Sequence, residues 1–97
     1  MKKTYSQTGK KCRVTFELPA SANVESAALC GEFNNWDKST HQLKRRKQGN
    51  FSITLSLDTG REYRYRYWID QQRWENDWAA DKYVPNDFGT EDSVVIL

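Results

Sequence analysis

The residues best suited to chemistry in this chain are indoles and their neighbours. Four Trp in 97 residues is more large aromatic surface than so small a core requires. One of them, Trp36, ends the segment Gly31-Glu32-Phe33-Asn34-Asn35-Trp36-Asp37, where an Asn-Asn turn brings the chain to the surface and sets side-chain amides beside the ring. The other three, Trp68, Trp74 and Trp78, fall in the aromatic run from Tyr63 through Trp78. An indole offers an apolar face and an amide offers both a donor and an acceptor. Together they suit a ligand with an apolar face and a rim of hydroxyls.

The elements that must position these residues are strands. Cys12, Val14, Phe16 and Leu18 alternate with Arg13, Thr15 and Glu17 until Pro19 stops the run. Val24 to Gly31 is a second strand, apolar on both faces toward its end, and His41 to Arg46 a third, more exposed one. After the turn Gln48-Gly49-Asn50, Phe51, Ile53, Leu55 and Leu57 alternate with Ser52, Thr54 and Ser56 in a fourth strand. Asp58-Thr59-Gly60 turns into a fifth, Arg61 to Asp70, and Asp92 to Leu97 closes the domain. No window carries a helical stripe. The expected fold is all-β, a single-domain β-sandwich of immunoglobulin-like (early-set) topology over residues 11–97, preceded by a loose arm at 1–10.

The fifth strand gives the sharpest inference from pattern. Tyr63, Tyr65, Tyr67 and Ile69 must face opposite to Arg64, Arg66 and Trp68. With the tyrosines in the core, Arg66 and Trp68 share an outer face. They form either a cation-π pair on a wet sheet or a platform with donors beside it.

These residues also carry a family resemblance. Gly31 to Asp37, Gly49-x-Phe51, Gly60-Arg61-Glu62-Tyr63-x-Tyr65-Arg66-Tyr67-x-Ile69-Asp70, then Trp74, Asn76-Asp77, Ala80-Asp81, Asn86-Asp87-Phe88-Gly89 and Ser93-Val94-Val95 resemble the family-48 carbohydrate-binding modules. These are isoamylase N-terminal early-set domains, and the glycogen-binding domain of the AMP-activated protein kinase β subunit is similar. The resemblance spans about residues 11 to 97. It implies non-catalytic binding of α-1,4-linked glucans such as glycogen, starch or maltooligosaccharides. By motif position the family's two contact Trp and contact Lys fall on Trp36, Trp74 and Arg66, and its C-terminal loop on Phe88, Thr90 and Asp92. Asn35 and Trp68 complete the expected carbohydrate-binding set. The chain departs from the family in having Arg66 for Lys, Asp92 for Asn, and Asp70-Gln71-Gln72-Arg73 where a Gly normally follows the turn Asp.

Other chemistries find little support. Cys12 and Cys30 lack CxxC spacing and His partners, so they are expected as reduced, buried thiols with no metal site, and nothing calls for a cofactor. No catalytic residue is assigned. Glu75, Asp77 and Asp81 are expected to bond loop amides, and the lone His41 to be exposed and inert. Trp78 is expected to pin its loop onto the sandwich. Lys44-Arg45-Arg46-Lys47 is a solvated strand end, and a net charge of +2 does not call for a nucleic-acid or membrane partner. With no apolar leader after Met1-Lys2-Lys3, a cytoplasmic location is expected. The partners expected are an α-glucan and an enzyme of glycogen metabolism. The competing reading is a protein-interaction module whose exposed aromatics form the interface.

Overall fold

The period-2 pattern becomes two facing antiparallel sheets in a computed structural model that describes residues 1–97. Its strands are β1 (Lys2–Tyr5), β2 (Lys11–Leu18), β3 (Ala27–Gly31), β4 (Lys44–Arg45), β5 (Phe51–Asp58), β6 (Glu62–Ile69), β7 (Arg73–Glu75), β8 (Lys82–Pro85) and β9 (Glu91–Ile96). The first sheet has the order β1-β2-β5-β4 and the second β3-β6-β9-β8. β7 shares an edge of β6 with β9: β9 pairs with Glu62 to Tyr65, and β7 with Tyr67 to Ile69. The only helical pieces are two 3-10 turns, Ala20–Ala22 and Glu32–Asn34.

The core lies between β2 and β6. Cys12, Val14, Phe16 and Leu18 face Tyr63, Tyr65, Tyr67 and Ile69, all buried, and Phe16 meets Tyr65 edge-on with ring centroids 5.0 Å apart. Burying large side chains of this kind is the main favourable contribution to folding, about 1.5 to 3 kcal/mol each. Arg64, Arg66 and Trp68 are thereby turned to the outer face of the second sheet, as the alternation requires.

Three local differences from the sequence expectation have physical causes. Residues 2–5 are not loose: β1 pairs with β2 from Lys2↔Thr15 to Tyr5↔Cys12, and Lys3 Nζ reaches Asp81 Oδ2 of the second sheet at 2.7 Å. An edge strand this polar has no alternating apolar signature. The third strand shrinks to Lys44–Arg45 because its segment changes sheets. Gln42 bridges to Ala28 in β3, Leu43 N donates to Ala27 O at 2.9 Å, and only Lys44 and Arg45 pair with β5. Finally, β7 and β8 are too short to register as strands in the sequence.

Candidate functional site

The turn after β3 is built by one of its two asparagines. Asn34 Oδ1 accepts from Gly31 N at 3.0 Å, and its Nδ2 donates to Leu29 O at 2.9 Å and lies 2.8 Å from His41 Nδ1. Phe33 anchors the turn against Phe16 and Tyr63, with centroids 5.9 and 6.0 Å away. Asn35 and Trp36 then take left-handed φ values of 56° and 60°, which lifts Trp36 off the core. A left-handed Trp is an uncommon conformation that costs about 1 kcal/mol or more. Asp37 fixes the exit, its carboxylate accepting from Ser39 N, Ser39 Oγ and Thr40 N, and these bonds hold its pKa below the usual range. Asn34 is therefore structural and Asn35 is the exposed amide. His41 is half-buried, not exposed and inert: it props the turn through Asn34 and meets Phe33 edge-on at 6.4 Å.

On the outer face, Trp68 and Trp74 are cross-strand partners with centroids 4.8 Å apart. The extra residue before Trp74 is absorbed in the turn Asp70-Gln71-Gln72, closed by Gln72 N to Ile69 O at 3.0 Å. Asp70 and Gln71 both adopt positive φ, 53° and 57°, the second doing without glycine. Parity along β7 is thus kept, and Trp74 stands on the same face as Trp68. Trp36 reaches over to Trp74, the two rings 6.5 Å apart and 80° inclined.

Two cations flank this cluster. Arg66 Cζ lies 5.8 Å from the Trp74 centroid, and Lys38 Nζ lies 3.9 Å from Trp68 and 5.4 Å from Trp74. Arg66 Nε is buried with no hydrogen-bond partner. Such an orphan donor costs roughly 1 to 3 kcal/mol. The sequence carries no sign of this role for Lys38, since nothing in a loop residue two positions past Trp36 tells which way it turns. Beside it, Lys38, Gln42, Trp68 and Gln71 border a groove of about 340 Å³ floored by Ala28.

The second expected group sits apart, on the β8–β9 hairpin. Phe88 is 89% exposed, and Asn86 Oδ1 organises the loop by accepting from Phe88 N, Thr90 N and Thr90 Oγ1. Asp92 is only 6% exposed, with Oδ1 accepting from Asn86 at 3.0 Å and Oδ2 3.7 Å from Arg64. Its carboxylate is engaged within the protein by Asn86 and Arg64. Trp36, Trp68, Trp74 and Arg66 are brought together, while none of Phe88, Thr90 and Asp92 makes a ring or hydrogen-bond contact with them.

Trp78 is also a correction. Expected to pack, it is 66% exposed beside a small cleft of about 70 Å³ that includes Ala22 and Val24. The residue that pins this loop is its neighbour Asp77, buried and accepting from Tyr65 OH at 2.6 Å, Tyr67 OH at 3.2 Å and Ala79 N at 2.9 Å. Asp81 likewise accepts from Ile96 N, and Glu75 pairs with Arg73. No group of His, Cys, Asp and Glu is arranged to hold a metal ion. Both cysteines are free and buried, and burial pushes the Cys30 thiol up to about 11. The basic run at 44–47 belongs to the other sheet from the indoles, with Arg45 over Phe51 and Arg46 bonded to Ser52. No helix is long and apolar enough to cross a membrane.

The β-sandwich displays clustered indoles and cations without carboxylate partners on one sheet face, the build of a surface platform. The chain belongs to the carbohydrate-binding module 48 family (isoamylase N-terminal domain), whose family model matches residues 4–84. It is 56% identical over 34 residues to the 1,4-alpha-glucan-branching enzyme of Saccharomyces cerevisiae, a match covering 34% of this chain and 5% of that enzyme. With the 1,4-alpha-glucan-branching enzyme of Candida glabrata it shares 48% identity over 40 residues, 39% of this chain and 6% of the enzyme. The matched stretch is thus a small fraction of either relative.

Proposed function

We propose that this module binds α-1,4-linked glucans, such as glycogen, starch or maltooligosaccharides, without acting on them, and so brings a cytoplasmic enzyme of glycogen metabolism to its polymer. The observation that carries this is the pairing of Trp36 with Trp74 on the outer face of the second sheet. Two indoles at a steep mutual angle suit a curved chain, whose successive sugars present their C-H faces in changing directions. Trp36 and Trp74 bury those faces, Trp68 supports Trp74 from beneath, and Arg66 and Asn35 bond the hydroxyl rim. Phe88 and Thr90, on the exposed hairpin, are reached by a longer chain.

Each hydroxyl contact replaces one with water and nets only ~0.5 to 1.5 kcal/mol. Dissociation constants on the order of 10 µM to 1 mM are expected for short oligosaccharides, with a multivalent polymer held more tightly. Native gel mobility in plain and glycogen-containing gels tests this. Wild type is expected to be retarded by glycogen, and Trp36→Ala with Trp74→Ala to abolish the retardation. Equal migration of wild type in both gels would overturn glucan binding. Retardation that survives the double substitution would overturn the site alone.

A further inference from the structure

We infer that the glucan suited to this site carries an anionic substituent, a phosphate monoester, held in the field of Lys38 and Arg66. This rests on the glucan-binding proposal and narrows its ligand. The outer face of the second sheet carries other cations, and those are balanced: Lys82 pairs with Glu62 at 2.8 Å and Arg64 with Asp92 at 3.7 Å. Lys38 and Arg66 have no carboxylate partner, yet both address the same ring, 5.4 and 5.8 Å from the Trp74 centroid. Arg66 Nε is moreover the single buried side-chain nitrogen or oxygen left without a hydrogen-bond partner.

The acidic groups close by in sequence or on the sheet do not relieve this imbalance. None makes an ion pair with Lys38 or Arg66: Asp70 and Glu75 pair with Arg73, Asp92 is enclosed against Asn86 and Arg64, and Asp37, though charged, turns its Oδ1 to Ser39 and Thr40. A neutral sugar hydroxyl both donates and accepts, so a site made for neutral sugar alone gains from free acceptors beside its donors. Here the flank of the platform adds two cationic donors, Lys38 and Arg66, to the neutral amides of Asn35, Gln42 and Gln71. A phosphate monoester carries three acceptor oxygens and close to two negative charges at neutral pH. A guanidinium fork and a mobile ammonium are the groups that recognise such an anion.

The test compares migration of the whole chain in native gels containing phosphorylated amylopectin with gels containing the same polymer after phosphatase treatment. At low salt the apparent dissociation constant is expected to be about three- to tenfold lower for the phosphorylated polymer. The ratio should shrink with added salt, and below about pH 6 as the phosphate dianion takes up a proton and becomes a monoanion. Lys38→Gln and Arg66→Gln should each lower the ratio, and together bring it to one, because a loss of overall affinity cancels in the ratio. Equal retardation of wild type by the two polymers overturns the phosphate inference and leaves glucan binding standing. A preference that persists in the Lys38→Gln, Arg66→Gln double variant overturns the assignment to these two cations. Absence of retardation by either polymer overturns glucan binding itself.

Discussion

Trp36 and Trp74 stand edge to face across the outer surface of the second sheet, 6.5 Å between ring centroids and 80° apart, although 38 positions separate them in the chain. Their supports differ. Trp36 rides on a left-handed turn, whereas Trp74 also leans on Trp68 at 4.8 Å. Either Ala substitution should weaken maltooligosaccharide binding by about 1 kcal/mol, roughly fivefold, for one lost apolar face. Trp74→Ala should also lower the melting temperature by a few degrees, since an aromatic pair contributes about 0.5 to 1.5 kcal/mol. Trp36→Ala, which breaks only the edge-on contact with Trp74, should lower it by less. Titration by intrinsic fluorescence together with thermal melts separates the two effects, and a larger stability loss at Trp36 would contradict this division.

Gly31 is required for space, not for conformation. Its φ of −172° is ordinary extended backbone, but a Cβ there would lie 2.6 Å from Arg64 O and 2.8 Å from Tyr65 Cβ. Backbone carbonyls cannot step aside cheaply, so Gly31→Ala should cost about 1 to 3 kcal/mol. It should also displace the Asn-Asn-Trp turn and weaken glucan binding. An unchanged melting temperature would show that β3 and β6 can separate without strain.

Asp77 joins loop to sheet through two tyrosine hydroxyls and a backbone amide. Asp77→Ala leaves these donors buried and unmatched, and a loss of about 3 kcal/mol follows. For a chain of this length that lowers the melting temperature by more than about 10 °C. Urea midpoints check the same figure, and a loss below about 1 kcal/mol would mean that water replaces the carboxylate.

Stability should be flat near neutrality and fall on both sides. Asp70 is held below its usual pKa by the Ser26 and Glu25 amides, and Asp58 by its bond to Lys11. Burial alone would raise Asp81, but the Ile96 amide and the Lys3 ammonium outweigh it, so it too is lowered. A lowered carboxyl contributes above its unfolded pKa, near 4, and the contribution is lost as pH falls through the folded value. Tyr65 and Tyr67 are raised, first by burial and then by Asp77. Their neutral forms contribute below pH ~10, and stability declines above it. Melting temperatures from pH 2 to 11 should show this plateau, and Asp70→Asn should blunt the acid limb.

Gln71 occupies a left-handed position, φ 57°, at the β6–β7 turn. Glycine relieves a cost of about 1 kcal/mol there and returns part of it as added freedom of the unfolded chain. Gln71→Gly should therefore raise the melting temperature by roughly 2 to 4 °C with glucan binding intact. A decrease would mean that the Gln71 side chain makes a stabilising contact along the groove.

Much of this protein follows from alternation. Period-2 patterning records which side chains avoid water, so it determined the two faces of β2, β5 and β6, and with them the outward direction of Arg66 and Trp68. The Asn-Asn-Trp turn was equally local, because its chemistry lies within seven residues. What alternation does not record is the partner of a side chain, and there only tertiary structure decided. It turned Lys38 onto two indoles, divided Asn34 from Asn35, and enclosed Asp92 with Asn86 and Arg64. It sent Asp77 inward and Trp78 out, and held residues 2–5 as an edge strand. Each of these outcomes depends on groups distant in the chain or on one polar bond outcompeting another, and neither leaves a periodic trace in the sequence.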